Sequence, residues 1–95
     1  MICLNVILTV KNATDVETVK ALLAQQSRLS REEPGCLRFE AYHSQTNITT
    51  FLLCEHWETQ EALDAHRRAK AYTEIYQPQI LPKVTRVPHP STMIE

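Results

Sequence analysis

Residues Ile2 to Val10 alternate Ile2, Leu4, Val6, Leu8 and Val10 with Cys3, Asn5, Ile7 and Thr9, the period of two that belongs to an extended strand. The first set is wholly apolar and the second only partly polar, so both faces of this strand have to be covered. The 95 residues make one domain, 1–95, whose core is modest enough that an oligomeric interface would help to stabilise it.

The remaining segments are read from the same periodicities. Thr14-Asp15-Val16-Glu17 has the form of a capping box and predicts a helix from Asp15, with Val16, Val19, Leu22, Leu23, Gln26 and Leu29 in one apolar stripe. Pro34-Gly35, which contains the only glycine, ends it. Cys36 to Ser44 and Thr49 to Trp57 alternate as strands around a turn at Ser44-Gln45-Thr46-Asn47. Thr59 is expected to cap a second helix on which Ala62, Leu63, His66, Ala69 and then Tyr72 or Tyr76 share a side. Lys70 to Tyr76 reads as a separate helical turn, broken by Pro78 and Pro82. Lys83 to Val87 reads as a last strand bounded by Pro88, with an irregular tail over 88–95.

Strand, helix, strand, strand, helix, strand is the split βαβ order of ferredoxin-like α+β domains, one four-stranded antiparallel sheet with two helices on a single face. The other face is bare. Its mixture of apolar positions with Arg38, Glu40 and Tyr42 predicts that it meets the same face of a second copy, giving a homodimer.

Composition removes several function classes. Ten Lys and Arg against 11 Asp and Glu leave a net charge of −1, too little positive field for nucleic acid or anionic lipid. The longest apolar run, Met1 to Val10, is interrupted by Asn5 and Thr9 and is too short for a membrane span, so a soluble cytoplasmic protein is expected. Cys3, Cys36 and Cys54 are odd in number, far apart and without zinc spacing, which favours reduced buried thiols and no metal.

Chemistry concentrates where the third strand runs into the second helix. Glu55-His56-Trp57-Glu58-Thr59, with His66 nine residues beyond the only tryptophan, sets an indole, an imidazole and a carboxylate near one place. Together with Glu33-Pro34-Gly35-Cys36-Leu37-Arg38-Phe39-Glu40 and Ala62-Leu63-Asp64-Ala65-His66, this stretch resembles the antibiotic biosynthesis monooxygenase family over nearly the whole chain. The resemblance implies a dimeric α+β barrel with a pocket in each subunit between sheet and helices. It also brings in a range of activities: cofactor-independent monooxygenases of quinols and polyphenols, an isomerase-like enzyme on a phosphorylated sugar, and haem-degrading enzymes. By position, Trp57 matches the family tryptophan at the pocket wall, His66 the histidine of the second helix, and Asn5 an asparagine that some members use on the first strand. The chain departs from the pattern at Ala71, where many members have a second histidine, and at Tyr76, where haem-degrading members have the iron ligand.

The leading expectation is therefore a cofactor-free monooxygenase acting with dioxygen on a small aromatic substrate. His66 would take a phenolic proton, Asn5 would donate to the resulting oxyanion, and Trp57 would stack on the ring. Phe39, Glu55, Tyr72 and Tyr76 are expected to line the substrate. Other roles stay open: a helix histidine bonded to a carbonyl for His66, an edge amide for Asn5, and a cross-strand pair with Arg38 for Glu55. A small-molecule binder or isomerase on the same barrel is the alternative function, and haem degradation a third.

Overall fold

The computed structural model describes residues 1–95. Four strands, β1 (Ile2–Val10), β2 (Cys36–His43), β3 (Thr50–Trp57) and β4 (Val84–Ser91), form one antiparallel sheet in the order β2-β3-β1-β4. Helices α1 (Val16–Arg31), α2 (Gln60–His66) and α3 (Ala71–Ile80) complete the α+β ferredoxin-like fold. No helix is long and apolar enough to cross a membrane.

Strand parity decides which side chains enter the core. Leu4, Val6, Leu8 and Val10 of β1 lie buried with Phe39, Phe51, Leu53, Trp57 and Val84, and the helices add Val19, Leu23, Leu63 and Ile75. The opposite parity, Asn5 and Ile7 opposed by Cys54 and Leu52, with Tyr42 and Val87 on the flanking strands, makes up the other face. There Tyr42, Leu52 and Val87 are 48 %, 41 % and 46 % exposed, so the second face carries apolar groups without cover in the single chain.

Several local expectations are corrected. Thr14 does not cap α1; Asn12 Oδ1 accepts from both the amide and the hydroxyl of Thr14, and a 3-10 turn at Ala13–Asp15 leads into a helix that starts at Val16. The alternation expected from Cys36 onward slips at its start, where a bulge between Cys36 and Arg38 leaves Leu37 exposed to solvent. Pro78 does not break the chain's helical path, because α3 is a wide-turned π-helical segment that runs through it to Ile80, where the Gln79 side chain covers the Glu74 carbonyl at 2.9 Å. The last strand continues past Pro88 to Ser91 in place of an irregular tail over 88–91. β4 is an edge strand, and prolines two apart can both turn their donor-less nitrogens to the open side.

Gly35 fixes the approach of α2 to the sheet. Its φ of +81° is the left-handed conformation, and a Cβ there would lie 2.5 Å from the Ala62 Cβ. The Glu58 amide donates to its carbonyl at 2.8 Å, tying the start of β2 to the start of α2.

Candidate active site

Trp57 ends β3 on the covered face, and Thr59 caps α2 by accepting the Ala62 amide at 3.1 Å. Seven residues of helix then bring His66 back over the indole, with ring centroids 4.5 Å apart at 33°. Phe39 reaches the same place from β2, 5.7 Å from His66 and edge-on to Trp57 at 6.4 Å. Tyr72 of α3 stands edge-on to His66 at 5.7 Å, and Tyr76 lies 5.4 Å beyond it. The five rings form a continuous cluster in which Trp57 and Phe39 have no exposed surface and His66 has 3 %.

Three polar contacts run through this apolar cluster. The Trp57 indole donates to Glu55 Oε1 at 3.1 Å, Arg86 Nε donates to the Tyr76 hydroxyl at 3.0 Å, and His66 Nδ1 bonds Glu33 Oε1 at 2.7 Å. Burial is the largest influence on His66, Glu55 and Glu33. It pushes His66 below the usual histidine value, against the pull of Glu55. It raises Glu55, against the Trp57 hydrogen bond, and lifts Glu33 to about 7. Burial thus favours the neutral imidazole, and with Nδ1 engaged by Glu33 the other ring nitrogen is Nε2.

His66 and Glu33 border a cavity of about 130 Å³ walled otherwise by Pro34, Ala62, Ala65 and Ala69. A larger concavity of about 340 Å³ lies on the opposite face of the sheet, lined by Asn5, Ile7, Tyr42, Leu52, Cys54 and His89 among others. The larger one contains none of the clustered rings; the smaller one is bordered by the buried imidazole of His66.

The profile of the family described as "Antibiotic biosynthesis monooxygenase" matches residues 1–77. The chain belongs to the antibiotic biosynthesis monooxygenase family. Membership supports a monooxygenase-type function at the level of the family. Among proteins similar to it, sll1783 of Synechocystis sp. is 33 % identical over 60 residues, which are 61 % of this chain and 41 % of that protein, so the match spans less than half of the relative's length. A conserved Bacteroides thetaiotaomicron protein, described as a possible oxidoreductase, superposes with a TM-score of 0.87 at 27 % identity over 95 % of this chain and 94 % of its own. SnoaB of Streptomyces nogalater, a cofactor-independent oxygenase, shares the fold at a TM-score of 0.83 and 12 % identity, over 99 % and 93 % of the two chains.

Within this antibiotic biosynthesis monooxygenase domain, six of the seven sequence-derived site residues converge: His66, Trp57, Phe39, Glu55, Tyr72 and Tyr76. Asn5 does not. Its odd parity on β1 sets it on the far side of the sheet, paired with Cys54 and His89, where its amide donates to Ser91 Oγ at 3.0 Å. Glu55 is held by Trp57, and neither orients His66 by a hydrogen bond nor meets Arg38, which is paired with Glu40 at 2.8 Å on the other face. The imidazole's carboxylate is Glu33, which sequence reasoning passed over because nothing in the periodicity joins positions 33 residues apart.

Haem does not fit these residues. Burial raises Tyr76 despite the Arg86 guanidinium beside it, so the tyrosinate that would bind iron is disfavoured. The cavity at His66, about 130 Å³, is also too small for a tetrapyrrole.

Proposed function

We propose that this chain is a cofactor-independent monooxygenase acting on a small quinol or polyphenol, with His66 as base. The observation that carries the reading is the buried imidazole lying 4.5 Å from Trp57 among aromatic rings and bordering a small cavity. Nε2 takes a phenolic proton, leaving an electron-rich ring anion that passes an electron to dioxygen. The radical pair joins through a carbon–oxygen bond, and loss of water leaves a hydroxyquinone. One oxygen atom ends in the product and the other in water, and the ring supplies all the electrons, so the protein's part is to remove a proton and keep the radical pair dry.

The size of the cavity bears on the substrate. An apolar hole of about 150 Å³ admits one benzene, so the 130 Å³ beside His66 limits a substrate to a single ring and requires the wall to give for its hydroxyls. The apolar groups of the bare sheet face support a second part of the proposal, a homodimer formed through that face.

Oxygen consumption with a panel of monocyclic quinols tests the reading. Turnover by the native protein, lost by about 10²-fold or more in His66→Ala and reduced in Trp57→Phe while both stay folded, is the expected outcome. No turnover on any quinol would leave the small-molecule binder or isomerase as the better description.

A further inference from the structure

We propose that Glu33 is a positioning residue that holds His66 in its Nδ1-protonated tautomer, so that Nε2 meets the substrate as the basic nitrogen. The hydrogen bond is short, 2.7 Å, and is kept from water, with 3 % of His66 and 16 % of the Glu33 side chain exposed. The Glu33 backbone is fastened on both sides: its amide donates to the Ser30 carbonyl at 3.1 Å, and its carbonyl accepts from the Cys36 amide at 3.1 Å. The left-handed turn at Gly35 then presses this segment against Ala62 of α2, one turn before His66. Around the pair the cavity wall is hydrocarbon, Pro34 and three alanines, so nothing there competes with Glu33 for Nδ1.

Other charged and titratable groups act on the pair from a distance. His66 feels Glu55 on β3 and Arg67 at the end of α2, and Tyr72 of α3 packs its ring against it. Glu33 faces the Cys36 thiol, which Arg31 also influences. Burial outweighs these, raising Glu33 to about 7 and depressing His66, so the pair takes up a proton near neutrality. Charge balances across the step. Ionised Glu33 with neutral His66 carries one negative charge; after Nε2 accepts the hydroxyl proton the pair is neutral and the substrate carries the charge.

This assignment rests on the oxygenase reading for its catalytic meaning, yet its test does not need turnover. In the native protein above about pH 8, one unit past the Glu33 value, nitrogen-15 NMR of His66 is expected to show a protonated Nδ1 and a bare Nε2. Glu33→Ala removes the acceptor and is expected to move His66 toward the Nε2-protonated form and lower kcat by about 10²-fold with little change in KM. Glu33→Gln keeps an oxygen acceptor but does not ionise, so the acid limb of the pH–rate profile is expected to move from about 7 to the lower value of His66 itself. A protonated Nε2 in the native protein above pH 8, or an unchanged tautomer in folded Glu33→Ala, would overturn the proposal. A protein that shows the expected tautomer and consumes no oxygen with any quinol overturns the oxygenase reading alone.

Discussion

Glu55 is a carboxylate kept almost wholly from water, and the single donor that meets it is the Trp57 indole at 3.1 Å. Because burial raises its pKa above the unfolded value of 4.5, the folded protein binds this proton more tightly than the unfolded chain. Stability from this group is therefore greatest below pH 4.5 and is lost as pH rises through the raised value. Trp57→Phe removes the one hydrogen bond that favours the ionised form and is expected to cost about 1–3 kcal/mol, with a larger loss at pH 8 than at pH 4 in urea titrations. An equal loss at both pH values would mean that the indole acts on stability by packing alone. Much of this cluster is readable from the sequence, since Glu55 and Trp57 share parity on one strand and His66 follows at a helical distance. The same parity argument, applied to Leu4, Asn5 and Val6, separates Asn5 from the cluster; it is the family resemblance, and not the alternation, that drew Asn5 in. Glu33 could not be found by spacing, because its partner is delivered by tertiary packing across the turn at Gly35.

Elements whose hydrogen bonds follow one period were legible, and those that mix periods were not. β1 to β3 declare themselves by alternation, and α1 by its apolar stripe. α3 is legible only as the helical turn from Lys70 to Tyr76, because its wide turns take Pro78 into a helical path that an α-helix would not tolerate. β4 is cut short in a sequence reading by prolines that an edge strand accepts. The junction of β2 with α2 depends on one residue. Gly35→Ala would meet both the left-handed backbone and the Ala62 side chain, and a loss of about 2–4 kcal/mol in denaturant melts is expected. The strain also pushes Glu33 away from His66, so the variant should lose oxygenase rate even at temperatures where it is folded. Native stability in Gly35→Ala would show that α2 gives way without consequence.

At the scale of the whole molecule, the sheet has one face under helices and one without cover, and the two differ in chemistry. The covered face holds the clustered rings and the buried carboxylates; the bare face holds Ile7, Leu52, Val87 and Tyr42 around a shallow concavity. If the proposed dimer forms through that bare face, light scattering should give twice the 10.9 kDa of one chain. Replacing Leu52 by Glu should halve the mass and leave the His66 cluster intact; a native protein that scatters as a monomer removes the paired barrel. The proposed chemistry places the substrate on the covered side of the sheet. A crystal structure with a non-reacting hydroquinone analogue is the most direct measurement. The expected result is a ring hydroxyl within hydrogen-bond distance of His66 Nε2, in the cavity bounded by Glu33 and Ala65. An analogue seated in the concavity beside Asn5 and Cys54, with the His66 cavity left as it is, would contradict the assignment of the chemistry to the covered side of the sheet.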